Sequence, residues 1–455
     1  MKYLSTRNNK ISESFLNILF QGLSKDGGLF LPKKWPKISI GDIKTSTYQE
    51  IAYVVTKPYL ENEISNQQLI TIIDKAYKNF TNNNIAPLIS LNDNKYILEL
   101  FYGPTFAFKD YALQFLGNLF SAVLQNKKKQ ITVLGATSGD TGSAAINAFK
   151  GKNDIQVFIL HPYEKISEVQ RRQMTTVTEK NVHNIAIKGT FDDCQKIVKN
   201  LFMNEELQSQ TSLTAINSIN WARLIAQTVY YFWAYVQLKQ ERVNFIVPSG
   251  NFGNIFSARI AKYMGLPINK LHIVTNTNDI LHRTISTGIM KTHEVRQTLS
   301  PSMDIQVSSN FERQLFESCD RDSEKIKKIM KSFTEQENYE LEKKILNNLQ
   351  STYLSYSVSN KETLETIKIF KEKFDYLADP HTATGLNVLN KIKDDYPTVS
   401  LACAHPAKFG DAIKKATGKT INLPYELENI FDKDEKIAIL NNSINDTKNY
   451  ILKFL

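Results

Sequence analysis

Long apolar runs are missing from the 455-residue sequence. None approaches the ~18 consecutive apolar residues that a membrane-spanning helix requires. The first residues, MKYLSTRNNKISESFLNILF, carry polar and acidic side chains where a secretory signal would place an apolar run behind basic residues. These absences predict a cytoplasmic protein without a membrane partner.

Cysteine is also scarce. The chain has three cysteines, Cys194, Cys319 and Cys403, and no two of them form a CxxC pair. A disulfide framework or a zinc site would need closely spaced pairs. We therefore expect a reducing compartment and no metal site.

Acidic residues are outnumbered by basic ones, which raises the question of a nucleic-acid partner. The chain has 56 Lys and Arg residues against 46 Asp and Glu residues, a formal net charge of +10. The lysines are spread over the whole chain rather than gathered into a stripe that could follow phosphates. This distribution favours a solvated lysine surface, and we expect no nucleic-acid partner.

The length predicts two or more domains, because a single core stops growing near ~250–300 residues. Residues 10–90 are mostly helical in pattern. From about residue 95, β-rich runs alternate with helical patterns, which predicts an α/β fold with doubly wound parallel sheets. The Lys- and Glu-rich segment 320–372 predicts surface helices, inserted away from the chemistry, and the tail after about 420 predicts further helices. The β-rich runs are YILELF, ITVLGAT, IQVFILHP, NFIVPSGN, LHIVTNTN and VSLACAHP.

The stretch GPTFAFKD places Lys109 directly after Phe106 and Phe108. Loss of hydration beside aromatic rings lowers the pKa of a lysine, and a neutral amine can act as a Schiff-base nucleophile or as a general base. Taken alone the pattern is weak, because many lysines follow an aromatic residue by chance.

The stretch SGNFGN, residues 249–254, lies between the predicted strand NFIVP and a helical pattern. Glycines and asparagines at such a turn let backbone N–H groups converge on a phosphate, and the helix N-terminus adds a favourable dipole. The stretch is neither GxGxxG nor a P-loop, since no Lys-Ser/Thr pair follows the glycines. The alternative is a glycine-rich turn without a ligand.

A second strand–turn–helix pattern, GATSGDTGSAA, crowds hydroxyl groups and a carboxylate around two glycines. Thr137, Ser138, Asp140 and Thr141 at a helix start suit the binding of a small carboxylate better than a metal. Alternatively, Ser138 or Asp140 is only the N-cap of the helix.

Three further stretches place polar residues near predicted turns. In ACAHPAKFG, Cys403 ends a buried strand and can face a heterocycle nitrogen, or it is only a small core residue. NSINWAR contains Arg223, which is either a phosphate clamp or a surface arginine paired to an acid. DPHTATG, residues 379–385, adds an Asp and a His.

Together these features fit one cofactor better than a nucleotide. Pyridoxal phosphate needs a lysine for covalent attachment, a phosphate site, and a nearby site for an amino-acid carboxylate. Phe106 and Phe108 would then shield the bond to Lys109.

The sequence closely resembles the threonine synthase family, in the class with an extra N-terminal region. The resemblance runs in unbroken order from about residue 3 to 410. It is carried by the stretches STRN, DGGLFLP, GPTFAFKD, GATSGDTGSAA, SEVQRRQM, GTFDDCQ, NSINWAR, VPSGNFGN and AHPAKF.

The resemblance implies a fold-type II pyridoxal-phosphate enzyme that converts O-phospho-L-homoserine and water to L-threonine and phosphate. Lys109 would hold the cofactor covalently and shuttle protons. Asp140 stands where relatives outside this class often have Asn near the phenolic oxygen, and Cys403 stands where Thr or Ser usually faces the pyridine nitrogen. The other implied residues are the cofactor phosphate loop Gly250, Asn251, Phe252, Gly253 and Asn254, the carboxylate-binding Thr137, Ser138 and Thr141, and the phosphate-facing Arg223, Lys408, His405, Asn217 and Asn220.

The domains predicted from these assignments are an N-terminal region at 1–95, an α/β domain with the lysine and the carboxylate loop at 96–240, and an α/β domain with the phosphate loop at 241–455. We expect a monomer or a homodimer. Two alternatives remain open. One is a serine/threonine dehydratase or cysteine synthase using the same lysine and loop. The other is an inactive relative that binds a phosphorylated metabolite or nucleic acid.

Overall fold

The structure is a computed structural model that describes residues 1–44, 46–60, 63–92, 94–127 and 130–455. Its N-terminal region combines a small antiparallel sheet, in the strand order β2-β1-β3, with three helices. In chain order the elements are β1 (Tyr3–Ser5), β2 (Asn8–Glu13), α1 (Phe15–Leu19), β3 (Phe30–Pro32), a 3-10 helix (Ile40–Ile43), α2 (Tyr48–Leu60) and α3 (Asn66–Tyr77).

The next part of the chain alternates strands and helices, as predicted. Its elements are β4 (Leu88–Asn92), β5 (Lys95–Glu99), α4 (Lys109–Lys127), β6 (Ile131–Ala136), α5 (Asp140–Phe149), β7 (Ile155–Pro162), α6 (Glu168–Thr175), β8 (Val182–Lys188), α7 (Phe191–Phe202), α8 (Glu205–Gln210), β9 (Ser212–Ala215) and α9 (Trp221–Leu238).

The last part continues the alternation and adds short 3-10 helices at Pro301–Met303, Pro406–Phe409 and Tyr425–Asp432. Its other elements are β10 (Val243–Pro248), α10 (Gly253–Tyr263), β11 (Ile268–Thr275), α11 (Ile280–Thr287), β12 (Ile289–Lys291), α12 (Phe311–Ser318), α13 (Ser323–Gln336), β13 (Asn338–Glu340), α14 (Lys343–Thr352), β14 (Tyr353–Ser357), α15 (Asn360–Phe374), α16 (Pro380–Lys391), β15 (Thr398–Ala402), α17 (Gly410–Thr417), β16 (Ala438–Asn441) and α18 (Ile444–Leu452).

Two large sheets organise these elements. The five-stranded sheet has the order β16-β8-β7-β6-β9, and each of its strand pairs is parallel. The six-stranded sheet has the order β14-β11-β10-β15-β5-β4, with only the β4–β5 pair antiparallel. The predicted α/β fold with parallel sheets is confirmed.

Strand pairing crosses the predicted domain boundaries at two places. Strand β5 pairs with β15, so it belongs to the six-stranded sheet rather than to the sheet that follows it in sequence. Strand β16, near the C-terminus, pairs with β8 in the five-stranded sheet. The three-domain division stays a prediction, but neither sheet is built from one continuous range.

The segment 320–372 is not only an insertion of surface helices. It contains β14, which pairs in parallel with β11 and forms one edge of the six-stranded sheet. The tail after 420 likewise contains β16 besides its helices. Both corrections concern short edge strands of four or five residues whose side chains are largely half-buried or exposed.

Helix α9 lies at the centre of the molecule and is buried on nearly every side. Most of its side chains are apolar, which is the pattern of a helix enclosed by other elements, and Arg223, Gln227 and Thr228 are buried polar exceptions. Side chains of the N-terminal region, such as Tyr3, Phe15 and Tyr59, belong to the same core cluster as α9 and both sheets. In the described ranges, no helix combines the length and apolar character needed to cross a membrane.

Candidate active site

The predicted site loops all follow the carboxyl ends of parallel strands, where open α/β sheets bind ligands. Thr137 follows β6, residues 249–254 follow β10, and Cys403 follows β15. The loop before α4 joins them, because Phe108 donates its backbone N–H to the Cys403 carbonyl at 2.8 Å. Lys109, the first residue of α4, therefore lies where the two sheets meet.

The turn before Lys109 is held by Asp110. This buried carboxyl accepts hydrogen bonds from the Thr105 backbone N–H at 2.8 Å and from the Thr105 hydroxyl at 2.6 Å. Burial raises the pKa of Asp110 to about 6, although the Thr105 bonds and the Lys408 ammonium act against the increase. Phe106 adopts a left-handed backbone conformation with φ of 59°. Such strain in a non-glycine residue is typical of functional loops.

The two phenylalanines behave differently from the prediction that both shield Lys109. Phe108 does contact it, since the Lys109 ammonium lies 4.9 Å from the ring centroid. Phe106 instead packs in a cluster with Leu427 and Ile430 of the C-terminal tail.

Asp140 joins two buried lysines. Its carboxylate lies 3.1 Å from the Lys109 amine and 2.8 Å from the Lys408 amine. Gln170 donates to the same carboxylate at 2.8 Å. Burial alone would raise the pKa of Asp140, but the two ammonium groups outweigh burial and hold that pKa well below its usual range. Asp140 is thus a permanent carboxylate between two cations.

Lys408 is bonded within the group around Asp140. It is 1% exposed, and besides Asp140 it donates to the Thr105 carbonyl at 2.8 Å. The prediction placed it as a cation facing the substrate phosphate. Its two bonds instead tie the lysine-bearing turn to Asp140.

The predicted carboxylate-binding loop surrounds the N-terminus of α5. The Thr137 hydroxyl oxygen accepts from the backbone N–H groups of Gly139 at 3.0 Å and Gly142 at 2.8 Å. Ser138 and Thr141 are half-buried beside it. The alternative that Ser138 or Asp140 serves as the N-cap is wrong, because the cap is Gly139, without a side-chain bond.

The glycine-asparagine loop is closely covered by the 300–310 segment. A Cβ atom on Gly250 would lie 3.0 Å from Ile305 Cδ1 and 3.1 Å from the Ser302 carbonyl oxygen, so only glycine fits without a shift. Ser302 also reaches the Lys109 amine at 3.4 Å. The segment thus links the loop to the lysine.

Asn254 lies at the start of α10, and only the oxygen of its side-chain amide makes hydrogen bonds among the described residues. Its Oδ1 accepts from the Tyr230 hydroxyl and, at 2.7 Å, from the Tyr231 hydroxyl. Its buried Nδ2 has no acceptor among the described residues. The first backbone N–H groups of a helix also lack intrahelical partners. Unused donors therefore converge at this loop.

Arg223 is a buried cation in the first turn of α9. One of its terminal nitrogens donates to the Ile216 carbonyl at 2.8 Å. Its Nε finds no acceptor in the part of the chain that the structure describes. Burial lowers the pKa of Arg223 to about 10, which leaves it charged at neutral pH. The prediction of a surface arginine paired to an acid is wrong, since the side chain is 3% exposed and bonds a carbonyl.

The two asparagines of NSINWAR are placed differently. Asn220 is the N-cap of α9, where its Oδ1 accepts from the Ala222 N–H at 3.0 Å and its Nδ2 donates to the Leu19 carbonyl at 2.9 Å. Its amide is therefore occupied at both ends. Asn217 is exposed, near Gly22 of the N-terminal region.

His405 does not carry the charge expected of it. Burial lowers its pKa to about 4, and its Nδ1 accepts from the Ala407 N–H at 3.2 Å. The ring is neutral at neutral pH and cannot serve as a cation. Burial also raises the pKa of the Cys403 thiol well above its usual value, so Cys403 is a neutral group at the strand end.

The prediction assigned no role to several residues that the fold brings to the site. Asp379, 0% exposed, accepts from the His381 ring at 2.8 Å, and the other ring nitrogen of His381 accepts from the Ser302 N–H at 3.2 Å. The stretch DPHTATG signals only a helix N-terminus, with Asp379 as N-cap and Pro380 following. Gln170 lies in the stretch SEVQRRQM and Ser302 lies in the 300–310 segment, and neither sequence context indicates a contact with the site.

These residues fit pyridoxal phosphate. The unused Nδ2 of Asn254 and the helix-start amides suit a phosphate, and Lys109 supplies a buried primary amine beside a carboxylate. Cys403, whose carbonyl accepts from the Phe108 N–H, adds a neutral thiol rather than a charge beside the lysine-bearing loop. The described residues hold no group of His, Cys, Asp and Glu that could bind a metal ion.

Comparisons with known proteins agree with this fit. Residues 2–77 match the family described as threonine synthase N terminus. Residues 85–404 match the pyridoxal-phosphate dependent enzyme family, and residues 382–451 match threonine synthase, C-terminal. The matches cover most of the chain.

Individual relatives are similar over their whole length. A threonine synthase from Pseudomonas aeruginosa is 41% identical over 452 residues, which is 98% of this chain and 96% of that protein. The crystal structure of threonine synthase from Brucella melitensis with PLP bound has a TM-score of 0.97 and 42% identity, covering 100% of this chain and 99% of that one. Threonine synthase from yeast has a TM-score of 0.95 and 39% identity, covering 100% and 98%. The chain belongs to the threonine synthase family, a family of fold-type II, pyridoxal-phosphate-dependent lyases.

Proposed function

We propose that this chain converts O-phospho-L-homoserine and water to L-threonine and phosphate, with Lys109 as cofactor anchor and proton shuttle. The observation that carries the proposal is the Lys109 amine, 3.1 Å from the Asp140 carboxylate, where the two sheets meet. A lysine so placed can bond the cofactor and then, once released, move protons at the substrate carbons.

The cofactor phosphate would be held by the backbone of Gly250–Asn254, with the Asn254 Nδ2 as an added donor. Cys403 would face the ring nitrogen as a neutral thiol, a weak hydrogen-bond partner. When bound, pyridoxal phosphate supplies the electron sink that stabilises negative charge at the substrate's Cα.

Lys109 would take one proton from Cα and one from Cβ as phosphate leaves Cγ, and it would then return a proton at Cγ. After water adds its hydroxyl group at Cβ, Lys109 would return the last proton at Cα. For this, its amine must alternate between charged and neutral forms beside a fixed carboxylate. Asp140 stays ionised through its pairing with Lys408, so it orients the Lys109 amine and does not itself exchange protons.

The substrate carboxylate would bind at the N-terminus of α5. The Thr137 oxygen already accepts two backbone N–H groups, which leaves its hydroxyl proton to donate. Ser138 and Thr141 add two half-buried hydroxyl groups. The helix dipole favours an anion at this end.

The substrate phosphate needs a cation. Among the predicted candidates, Arg223 has an unused donor, whereas Lys408 is paired and His405 is neutral. We propose Arg223 as the main phosphate-facing cation and keep Asn217 and Asn220 as weaker candidates. Arg223→Ala should then raise the KM for O-phospho-L-homoserine strongly, with Arg223→Lys as the charge-preserving comparison. An unchanged KM would show that Arg223 does not bind the substrate phosphate.

The experiment for the whole proposal is one absorbance titration of the purified holoenzyme. A cofactor band that shifts on adding O-phospho-L-homoserine, with equal release of phosphate and threonine, is the expected result. A band disturbed only by serine or threonine, with formation of an oxoacid, would support the dehydratase alternative. No band at all would favour the inactive relative.

The cytoplasmic location, the lack of a nucleic-acid partner and the monomeric or dimeric state stay predictions. Sedimentation of the holoenzyme tests the last of these.

A further inference from the structure

Two motifs of the N-terminal region have no part in the reaction described above. These are the turn at 5–8, STRN, and the turn at 26–28, DGG. They are built against each other, because Asp26 accepts from the Ser5 hydroxyl at 2.8 Å and from the Gly28 N–H at 2.9 Å. A Cβ on Gly28 would lie 2.2 Å from Ser5 Oγ, so the close approach requires glycine. We call this pair of turns the N-terminal clasp.

The N-terminal clasp binds Glu312, at the start of α12. The Thr6 hydroxyl donates to Glu312 at 2.6 Å. Arg7 donates to both carboxylate oxygens, through Nε at 3.0 Å and Nη2 at 2.8 Å. Glu312 is 4% exposed, and a bidentate pair at such a site is directional as well as strong. The clasp therefore sets where α12 begins.

Arg313, the residue after Glu312, also links α12 to the N-terminal region. Arg313, fully buried, donates to the Phe30 carbonyl at 3.0 Å and to the Ile219 carbonyl at 2.8 Å. It also donates to Oδ1 of Asn310. The Asn310 side chain is thereby oriented by α12.

Asn310 and Ser308 in turn hold the phosphate loop. Asn310 donates to the Asn251 carbonyl twice, from its backbone N–H and from Nδ2, each at 3.1 Å. Ser308 donates to the Gly250 carbonyl at 2.7 Å. In a trans peptide the C=O and the following N–H point in opposite directions. Holding these two carbonyls thus aims the N–H groups of Asn251 and Phe252 to the other side, where a phosphate would bind.

We propose that Asn310 and Ser308 are positioning residues for the cofactor phosphate loop, and that the N-terminal clasp sets them through Glu312. The N-terminal region then controls how tightly the cofactor is retained. The proposal concerns cofactor retention, so it stands or falls separately from the identity of the substrate.

The first test replaces Asn310 by Asp in the full chain. Asn310→Asp keeps the oxygen that accepts from Arg313 but removes the Nδ2 group, which donates to the Asn251 carbonyl and also to the Ser218 carbonyl at 3.2 Å. Loss of one such bond corresponds to about a tenfold effect. We expect the cofactor to leave the holoenzyme about ten times faster and the ³¹P resonance of its phosphate to shift. Cofactor release at the wild-type rate with an unshifted resonance would overturn the proposal.

The second test compares two arginines that dock the same N-terminal region. Arg7→Ala breaks the clasp to Glu312, whereas Arg321→Ala removes bonds to the Pro32 and Lys33 carbonyls beyond the opposite end of α12. We expect both variants to lower the melting temperature, but only Arg7→Ala to speed cofactor release and shift the ³¹P resonance. Equal release rates in the two variants would mean that the clasp is only structural.

Discussion

The two ends of the candidate active site treat buried polar groups in opposite ways. At the lysine end, Asp140 is shared by Lys109, Lys408 and Gln170, so each charge has a partner. At the loop end, Asn254 Nδ2 and Arg223 Nε have no acceptor within the described ranges. An unpaired buried donor costs about 1–3 kcal/mol.

The difference indicates that the two ends of the site have different roles. The lysine end is complete without a ligand, and its charges orient a reacting amine. The loop end retains unsatisfied donors that a phosphate would satisfy, which is the pattern of a binding site. Variants at the lysine end should therefore damage the chemical step, and variants at the loop end should damage retention of ligands.

The largest effect is expected for Lys109→Ala. Without the amine, neither covalent attachment nor proton transfer at Cα is possible, and kcat should fall by at least about a thousandfold. The measurement is threonine formation alongside the cofactor absorbance band. Lys152→Ala is the control, because Lys152 lies before β7, at the amino edge of the sheet. Residual kcat near the wild-type value would contradict the assignment.

The second-largest effect is expected for Asp140→Asn. It leaves two buried ammonium groups without a carboxylate, which should lower the free energy of unfolding by about 3 kcal/mol and reduce kcat by about a hundredfold. Urea unfolding and steady-state kinetics measure both. The exposed Asp411→Asn should change neither.

The pH dependence sharpens this prediction. Because the folded pKa of Asp140 is depressed, its contribution to stability is fully present above the unfolded value of about 3.9 and is lost only as the pH falls through the folded pKa. The stability difference between wild type and Asp140→Asn should therefore stay constant from about pH 5 to 8. A difference that vanished within this range would mean that Asp140 is not permanently ionised.

Gly250→Ala tests the loop end. Its Cβ would press on Met303 Cα at 3.1 Å and on the Ser302 carbonyl, and such overpacking costs about 1–3 kcal/mol. We expect cofactor affinity to fall about tenfold while kcat of the loaded enzyme changes little. Gly410→Ala, where a Cβ meets open space, is the matched control. A larger loss in kcat than in cofactor affinity would contradict the assignment of ligand retention to the loop end.

The smallest effect is expected for His405→Gln. A neutral ring offers a phosphate at most one N–H group and no charge, so the KM for O-phospho-L-homoserine should rise less than in Arg223→Ala, by about twofold. The folded pKa of His405 is about 4, below the usual 6.5, so its contribution to stability is present above about pH 6.5 and is lost as the pH falls toward 4. The melting temperature of the variant should therefore decline less than that of wild type over this range. A steeply raised KM would restore His405 as a phosphate ligand.

Local pattern was enough to predict much of this molecule. The alternation of strands and helices and the two glycine-rich turns depend on residues close in sequence, and the structure has both turns between a strand and a helix, after β6 and after β10. Strand β16 was missed because AILN is short and half exposed, and its partner β8 lies more than two hundred residues away.

Partners of charged side chains could not be predicted. Lys408 pairs with Asp140 and with the Thr105 carbonyl, residues distant in sequence that only the folded sheets bring together. The neutrality of His405 likewise depends on burial, which the stretch AHPAKF does not reveal. Pairing and neutrality make Lys408 and His405 weaker candidates than Arg223 for the substrate phosphate, and the role of all three stays a prediction.

The most direct measurement is borohydride reduction of the holoenzyme followed by peptide mass spectrometry. Reduction fixes the cofactor to the amine that holds it, and two buried lysines share one carboxylate here. We expect the added mass on Lys109 alone, because Lys408 is bonded to Asp140 and to the Thr105 carbonyl. Added mass on Lys408, or on neither lysine, would contradict it.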